Sequence, residues 1–515
     1  MDMLANLGLG FSTVLNLVDI HVPLIGIVPL PMNILLCFVG CLVGTLIGVL
    51  PGVGPIATIT MLLPITFGLP PTGALIMLAG IYYGAQYGGS TTAILVNIPG
   101  EATSVVTALD GHEMAKQGRA GTALGISALG SFFAGCVATL VIAALALPLT
   151  KMALMFGPAE YFSLMVMGLV FAVVLAHGSL SKAMAMIFMG LLLSTVGTDL
   201  ETGQERLTFG FAPLSDGIDF AVLAMGIFGF AEVLRNLGVD EKRDLVSKPI
   251  GRLLPSKADL KQSAMPVMRG TIVGAILGIL PGNGAVLGPF ASYSLEKRLA
   301  KNPSRFGRGA IEGVAGPESA NNAGAQTSFI PLLTLGVPPN AVMALMVGAM
   351  TIQGIIPGPQ VMTKNPDLFW GMITSMWIGN LMLLVINLPM IGLWVRLLQV
   401  PYRLMFPTIL VFSCIGIYSI NNNPMDVVMT AGFALAGYTF IKLGFEPAPL
   451  LLGFVLGKLM EDNLRRALLM SRGSLLGVIE RPVSAALLLI ALVVLVAAVL
   501  PSLRKGRDEI FADAD

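Results

Sequence analysis

The sequence predicts an all-α polytopic membrane protein with two inverted-topology repeats that contain broken or re-entrant helices. Hydrophobic residues make up 55% of the 515-residue chain and charged residues only 11%, whereas soluble domains carry about 25% charged residues. At about 20 residues per spanning helix, this length allows roughly 11 to 14 hydrophobic segments. The apolar runs are continuous, which is typical of helices, and they do not alternate as in an outer-membrane barrel.

The repeats are predicted from a motif that occurs twice, as GTLIGVLPGVG at 44–54 and as GAILGILPGNG at 274–284. Each copy is an apolar helical run that ends in Pro-Gly-x-Gly, which cannot continue a helix. A helix that breaks inside lipid frees backbone N–H and C=O groups, and these need partners. One copy alone would be explained by chance in Gly-rich membrane helices. Two matched copies indicate a transporter with its binding site at the breaks.

Charge bias divides the chain into two halves. The first Lys or Arg is Lys116, whereas the second motif follows a long basic stretch. By the positive-inside rule, the two motifs therefore enter the membrane from opposite sides, as in an inverted repeat. The predicted units are a first membrane half at 1–238, a cytoplasmic linker at 239–269, a second membrane half at 270–480, and a terminal span with a polar tail at 481–515.

Polar segments between the apolar runs give further topology. Residues 101–119 are interpreted as the first cytoplasmic loop, and the acidic stretch 199–216 is interpreted as external. Basic residues lie on both sides of the second broken segment, which predicts a hairpin that enters and leaves on the same face. The alternative is a surface-bound basic loop that follows an ordinary span.

Two polar stretches follow the motifs, at 84–102 and at 316–341. Glu318 is the clearest ionisable residue at membrane depth, where such residues are functional candidates. Short side chains rich in carbonyl and hydroxyl oxygens suit a hard cation such as Na⁺, and no other metal is expected. For any one residue the alternative is interhelical hydrogen bonding. The predicted cation-binding set is Glu318, Ser319, Asn321, Asn322, Gln326 and Thr334.

An anionic substrate would ordinarily require Arg or Lys, but neither polar stretch contains one. We expect the substrate to bind instead at half-helix N-termini, each of which carries about half a positive charge. Co-bound cations would neutralise much of its negative charge. The predicted substrate-binding set is Pro51, Gly52, Gly54, Ser90, Thr91, Thr92, Asn97, Pro281, Gly282, Asn283, Gly284, Thr327 and Ser328.

Other classes of function lack support in the sequence. A net charge of +1 indicates no nucleic-acid partner. The chain has no HExxH, no nucleotide-binding GxxxxGK[ST] and no Cys-His arrangement, so we predict no enzymatic activity and no cofactor. The four cysteines lie in apolar runs, where cysteine behaves as a small hydrophobe.

The stretches at 44–55, 88–125, 278–290 and 316–341 resemble the large membrane subunit of the tripartite tricarboxylate transporters. The resemblance implies a secondary transporter of the bacterial inner membrane that imports citrate or other carboxylates, driven by a gradient of Na⁺ or H⁺. It also implies two protein partners, a periplasmic solute-binding protein and a small membrane subunit. Val337-Pro338-Pro339-Asn340 keeps the family's helix break, with a second Pro where Gly is frequent.

The predicted function is therefore the permease subunit of a carboxylate importer, with the substrate held at the bilayer midplane by the broken-helix tips. The alternative is a membrane scaffold or assembly protein that transports nothing. Repeated breaks argue against a scaffold, because unwound backbone at midplane depth would serve no purpose there. An intramembrane hydrolase lacks any recognisable nucleophile–base set.

Overall fold

The structure is a computed structural model, and its described residues are 3–22, 26–50, 54–176, 179–199, 201–236, 250–281, 284–398 and 402–499. This part of the chain is mostly helical, as the sequence predicts. Two short antiparallel hairpins interrupt the helices. They consist of β1 (Val18–Val22) with β2 (Gly26–Leu30), and β3 (Gly197–Thr198) with β4 (Glu205–Arg206).

Ten helices are described before the linker. They are α1 (Met3–Leu15), α2 (Met32–Gly48), α3 (Gly54–Thr66), α4 (Pro71–Val96), α5 (Val105–Lys116), α6 (Ala120–Ala153), α7 (Pro158–Val174), α8 (Leu180–Ser194), α9 (Phe220–Ala224) and α10 (Ala231–Asn236). Short 3₁₀ turns lie at Ala102–Ser104 and Ala212–Leu214, and a π-helix at Met225–Phe230 joins α9 to α10.

Thirteen helices are described after the linker. They are α11 (Lys257–Ile279), α12 (Gly284–Leu299), α13 (Glu312–Thr327), α14 (Phe329–Leu335), α15 (Ala341–Ile352), α16 (Pro359–Lys364), α17 (Pro366–Asn387), α18 (Ile391–Leu397), α19 (Tyr402–Asn421), α20 (Pro424–Lys442), α21 (Ala448–Met470), α22 (Leu476–Ile479) and α23 (Pro482–Val499). A 3₁₀ turn at Pro303–Arg305 precedes α13.

The helices have the length and composition of a multi-pass membrane protein. In the described part of the chain, α6, α17, α20 and α23 are long and apolar enough to cross a membrane, and α1, α2, α3, α7, α8 and α15 are shorter apolar helices. The final helix, α23, is apolar on all sides, and only 11% of its apolar window is buried in the protein. Such a helix is stable only when lipid covers its surface.

The prediction of a loop at 101–119 is wrong, because most of this segment forms the buried helix α5. Its polar side chains find partners inside the protein, so their burial is not costly. The carboxylate of Asp110 accepts hydrogen bonds from the backbone N–H groups of Gly309 (2.8 Å) and Ala310 (2.7 Å) and from the hydroxyl of Tyr293 (3.0 Å). Polarity alone therefore did not distinguish a solvated loop from a helix that contacts the second half.

The predicted linker is partly helical. Residues 237–249 lie outside the described residues, but 257–269 form the first half of α11. Ser256 and Asp259 make a capping box, in which the Ser256 hydroxyl accepts from the Asp259 N–H at 3.2 Å and the Asp259 carboxylate accepts from the Ser256 N–H at 3.0 Å. These bonds satisfy N–H groups that would otherwise be unpaired, and they fix the start of the helix.

Glycines allow two helix pairs to pack backbone against backbone. Three glycines spaced four residues apart place α2 along α4, and three at the same spacing place α11 along α13. At each of the six, an added Cβ would lie 2.1–2.4 Å from a carbonyl oxygen of the neighbouring helix, so only glycine fits. The glycine–carbonyl pairs are Gly40–Met77, Gly44–Ile81, Gly48–Ala85, Gly270–Gly316, Gly274–Ala320 and Gly278–Gly324.

The two halves interlock around α4 and α13. Helix α13 of the second half packs against α6 of the first, and α4 of the first half packs against α17 of the second. Helices α6 and α17 also contact each other. The core therefore lies between the halves, where Tyr83, Phe329 and Trp370 are among the largest fully buried side chains. Every residue of α13 after its first is buried.

Candidate functional site

Both copies of the Pro-Gly-x-Gly motif coincide with a break between helices. Helix α2 ends at Gly48 and α3 begins at Gly54, while α11 ends at Ile279 and α12 begins at Gly284. The chain therefore leaves the helical path at both motifs, as predicted for each. Outside the described residues lie four of the predicted motif positions, Pro51, Gly52, Gly282 and Asn283.

The motif residues that are described show why glycine is required there. Gly54 has a φ of +62°, which other residues rarely adopt. Gly284 lies so close to α11 that an added Cβ would be 2.0 Å from the carbonyl oxygen of Leu277. Pro281 directly follows Leu280, whose ψ of 130° takes the chain out of the helix. The chain thus reverses direction within a few residues of Pro281.

Helices α11 and α12 form an antiparallel hairpin. Near the turn, Gly284 contacts Leu277, and further along an added Cβ on Gly288 would lie 3.5 Å from the Cα of Gly274. At the open end, the guanidinium of Arg269 donates two hydrogen bonds to the carboxylate of Glu296, at 2.7 and 2.6 Å. Because the Glu296 side chain is only 2% exposed, this bidentate pair holds the two ends of the hairpin side by side.

The backbone carbonyls at the two breaks accept hydrogen bonds from hydroxyl groups of the neighbouring polar segments. In the first half, the Thr92 hydroxyl lies 3.0 Å from the carbonyl oxygen of Val49 and 3.4 Å from that of Gly48. In the second half, the Ser328 hydroxyl lies 3.2 Å from the carbonyl oxygen of Gly278. Gly48 and Gly278 occupy the same position in the two motifs. The two breaks are therefore satisfied in the same way, by α4 in one half and by the residue that directly follows α13 in the other.

Glu318 lies at the centre of the polar core and is completely buried. Its carboxylate accepts hydrogen bonds from the hydroxyls of Ser90 on α4 (2.6 Å) and Ser127 on α6 (2.8 Å), and also from that of Thr107 on α5. These three partners are neutral and belong to the first half, whereas Glu318 belongs to the second. A buried carboxylate surrounded in this way needs a positive counter-charge or a proton.

Two more residues on the same face of α13 make hydrogen bonds to α6. The Asn322 amide donates to the Ser131 hydroxyl at 2.7 Å, and the Gln326 carbonyl accepts from the Thr139 hydroxyl at 2.8 Å. Since Glu318, Asn322 and Gln326 are spaced four residues apart, they follow one another along a single face. The structure thus brings together three of the six residues predicted to bind a cation.

Asn321 lies on a neighbouring face of α13 and contacts a second carboxylate. Its amide nitrogen donates to Glu101 at 3.2 Å, and Glu101 also accepts from the Thr103 hydroxyl. The side-chain amide oxygens of Asn321 and Gln86 are buried without a hydrogen-bond partner among the described residues. This part of the core is therefore rich in acceptor oxygens.

The remaining predicted residues have local roles in the structure. Asn97 adopts φ +59° at the end of α4, and Gly336 adopts φ +74° at the end of α14, each just before the Pro-containing break. These two turns match in conformation and in their position before Pro99 and Pro338. Four other predicted residues donate a hydroxyl hydrogen bond to a backbone carbonyl of their own helix: Thr91, Ser319, Thr327 and Thr334.

Sequence reasoning missed the contribution of α5 and α6. Ser127, Ser131 and Thr139 come from a helix that reads as an ordinary apolar span. Their four-residue spacing, continued by Gly135, was a signal of a single polar face. Thr107 and Glu101 were missed because their segment was assigned to a loop.

The polar core offers oxygen groups as its ligands. No cluster of three or more His, Cys, Asp or Glu side chains forms among the described residues, whereas transition metals usually bind imidazole or thiolate groups. The core instead offers the carboxylates of Glu318 and Glu101 together with hydroxyl and amide oxygens. Oxygen groups of this kind hold hard cations and relay protons.

Comparison with known proteins gives the following matches. The profile of the tripartite tricarboxylate transporter TctA family matches residues 34–452. An uncharacterized 52.8 kDa protein in the TAR-I ttuC' 3' region of Agrobacterium vitis is 58% identical over 515 residues, which cover both chains completely. An uncharacterized protein in the TAR-II ttuC' 3' region of the same organism is 60% identical over 242 residues, which are 47% of this chain and all of that one. No solved structure matches the chain.

Proposed function

Since this chain belongs to the tripartite tricarboxylate transporter TctA family, we propose that it is the large permease subunit of a secondary transporter in the bacterial inner membrane. It imports carboxylates, citrate among them, and a gradient of Na⁺ or H⁺ drives the uptake. Its partners are a periplasmic solute-binding protein, which delivers the substrate, and a small membrane subunit. The chain carries out no enzymatic step and needs no cofactor other than the coupling cation.

One observation carries this proposal: each half has a helix break whose freed carbonyls are capped by a polar helix. Unwound backbone in a membrane is tolerated only where it is buried in protein or lines a cavity, and transporters use it to bind substrates. The caps are the hydroxyls of Thr92 and Ser328. The first N–H groups of α3 and α12 have no acceptor within their own helices, and in our proposal they face a carboxylate.

The dimensions of the α11–α12 hairpin favour the hypothesis that it is a re-entrant segment. From Gly284 to Glu296 the helix rises by about 18 Å, which is well short of the roughly 30 Å of a bilayer's hydrocarbon core. The Arg269–Glu296 pair lies at the open end, where headgroups and water can solvate the exposed part of the guanidinium. The turn at Pro281 then lies within the membrane, and both ends of the hairpin lie on one face.

Matching contacts in the two halves support an inverted repeat. Gly40, Gly44 and Gly48 pack on α4 as Gly270, Gly274 and Gly278 pack on α13. Helix α3 contacts α15 of the second half, and α12 contacts α5 of the first. Reciprocal contacts of this kind are expected when two halves are related by a pseudo-two-fold axis. In transporters with inverted repeats, that axis lies in the membrane plane.

The substrate class follows from the charges in the core. The stretches 84–102 and 316–341 contain no Lys or Arg. They therefore lack the guanidinium groups with which proteins usually bind phosphate or sulfate. Two half-helix N-termini, each with about half a positive charge, fit one or two carboxylate groups together with a co-transported cation. Glu318 supplies the negative group that binds that cation.

Uptake by the reconstituted complex tests the proposal. Purified permease, small subunit and binding protein are placed in proteoliposomes, and labelled di- and tricarboxylates, including citrate, are offered with an imposed Na⁺ or pH gradient. We expect uptake of at least one carboxylate that requires both the binding protein and the gradient. A complex that assembles but moves none of them, with or without a gradient, would instead favour a membrane scaffold.

A further inference from the structure

A polar seam runs between α6 and α13. Three hydrogen bonds cross it, from Ser127 to Glu318, from Asn322 to Ser131 and from Thr139 to Gln326. The bonded residues are four and then eight positions apart on α6 and four apart on α13, so the seam follows the axis of α6 for about 18 Å and that of α13 for about 12 Å. We define the seam as Ser127, Ser131, Gly135 and Thr139 on α6 and Glu318, Asn322 and Gln326 on α13.

The seam contains buried polar atoms that no described residue satisfies. They are the carbonyl oxygen of Asn322, the amide nitrogen of Gln326, and both amide atoms of Asn380 on α17. Asn380 is fully buried and faces the seam at Gly135, where an added Cβ would lie 2.6 Å from its amide nitrogen and oxygen. An unsatisfied buried polar atom costs about 1–3 kcal/mol, and native proteins satisfy such atoms with ordered water.

The surroundings of Glu318 allow its carboxyl group to be charged or neutral. Its partners are hydroxyls, which can both donate and accept. The hydroxyl of Ser90 already has a second acceptor, the backbone carbonyl oxygen of Gln86 at 3.0 Å. A protonated Glu318 can therefore donate to Ser90 while Ser90 donates to Gln86. The Ser90 and Ser127 hydroxyls lie 2.6 and 2.8 Å from the carboxylate, so an ion bound between these oxygens would have to spread them apart, whereas a proton would not.

We propose that Glu318 binds and releases the coupling proton, and that the seam is the hydrated path by which this proton reaches it. The proposal rests on the transport function above and specifies H⁺ rather than Na⁺. A proton arriving along water and hydroxyl groups binds a carboxylate oxygen of Glu318 and leaves by the same kind of transfer, with no other bond made or broken. The other titratable groups that face Glu318 are Tyr87 on α4 and Glu101 before α5.

Two substitutions separate a proton path from simple packing. Glu318→Gln keeps the size of the side chain but cannot exchange a proton. Asn380→Leu keeps the branching of the side chain and replaces its two unsatisfied polar atoms with methyl groups, so a packing role alone predicts no specific loss of pH-driven accumulation. Ser163→Ala is the matched control, since it deletes a buried hydrogen bond of 2.6 Å between α7 and α23, which lie outside the seam.

The test compares two assays on the complete reconstituted complex, using labelled citrate or whichever carboxylate the wild type carries. Counterflow, in which labelled substrate exchanges for unlabelled, needs no gradient. Accumulation under a gradient of about one pH unit gives about tenfold enrichment for each coupled proton. As a third readout, the purified complex in weak buffer is mixed with substrate, and the uptake or release of protons is recorded.

We expect Glu318→Gln to lose pH-driven accumulation, which falls to the level without a gradient, and to abolish substrate-linked proton exchange. Asn380→Leu should slow pH-driven accumulation by about tenfold and leave counterflow unchanged. Ser163→Ala should change neither. Should Glu318→Gln fail to assemble, Glu318→Asp keeps a titratable group and should retain pH-driven accumulation with an altered pH profile.

Several results would overturn the inference while leaving transport intact. They are pH-driven accumulation by Glu318→Gln at the wild-type level, wild-type accumulation that follows Na⁺ and ignores pH, or an Asn380→Leu variant that accumulates substrate at the wild-type rate. Absence of counterflow in the wild type for every carboxylate would contradict the transport function itself, and the inference would fall with it.

Discussion

The hydroxyl of Ser90 donates a hydrogen bond of 2.6 Å to the carboxylate of Glu318, although the two residues lie 228 positions apart. Ser90 belongs to the polar helix of the first half and Glu318 to that of the second. This bond joins the two halves at a fully buried carboxyl group. Any motion of one half against the other must therefore change the surroundings of Glu318, which is how ion binding and transport can be coupled.

The close contact of α11 with α13 predicts a strict requirement for glycine at position 278. An alanine there would place its Cβ 2.3 Å from both the Gly324 carbonyl oxygen and the Thr327 hydroxyl. We expect Gly278→Ala to lower the free energy of unfolding by about 1–3 kcal/mol. Thermal unfolding in detergent measures the effect. The control is Gly432→Ala on α20, where no atom lies within 4 Å of the added Cβ, and equal melting temperatures for the two variants would contradict the prediction.

The Arg269–Glu296 pair predicts that removing Arg269 alone destabilises the protein more than replacing both residues. Arg269→Met leaves the buried Glu296 carboxylate without its bidentate partner, and we expect a loss of about 3–5 kcal/mol in stability. Combining it with Glu296→Leu removes the unpaired charge and should recover most of that loss. The readout is again thermal unfolding of the purified protein. A double variant that is less stable than the Arg269→Met single variant would rule out this role for the pair.

The hydroxyl caps at the breaks predict a transport defect with a specific rescue. Thr92→Val keeps the shape of the side chain but leaves the Val49 carbonyl without its 3.0 Å hydrogen bond. We expect about a tenfold loss of counterflow, since an unsatisfied buried carbonyl costs about 1–3 kcal/mol. Thr92→Ser restores the hydroxyl and should restore most of the activity. Equal counterflow by the valine and serine variants would show that the hydroxyl does not support the break.

The start of α11 predicts a pH effect on stability. Hydrogen bonds from Ser256 and the nearby Arg119 guanidinium, 3.0 Å from the carboxylate, hold the pKa of Asp259 below its usual value. A depressed pKa stabilises the folded state above the unfolded pKa of about 3.9, and the stabilisation is lost as the pH falls through the lower folded value. The melting temperature of the wild type should therefore exceed that of Asp259→Asn at pH 6, and the gap should close as the solution is acidified below about pH 4. A gap that does not change with pH would contradict the assignment.

Much of the site could be predicted from local sequence. The two Pro-Gly-x-Gly breaks, the buried Glu318 and the Pro-containing turns after Asn97 and Gly336 all follow from residue types that cannot continue a helix or cannot be buried without a partner. The start of α11 is also marked in the sequence, because Ser256 and Asp259 have the spacing of a capping box.

The partners of Glu318 were not predictable in the same way. Thr107 and Ser127 reach it only because α5 and α6 fold against α13, and nothing in their own segments identifies that neighbour. The burial of Asp110 depends likewise on backbone N–H groups of Gly309 and Ala310, nearly 200 positions away. Periodicity shows which face of a helix is polar, but only the tertiary packing decides what that face meets.

Counterflow of labelled carboxylates by the reconstituted complex, wild type against Gly284→Ala, tests most directly whether the broken helices carry the substrate. An alanine Cβ at 284 would lie 2.0 Å from the Leu277 carbonyl oxygen and would force the second break open. The account predicts exchange by the wild type and a loss of at least about tenfold in the variant, in a complex that still assembles. Exchange by Gly284→Ala at the wild-type rate would contradict it.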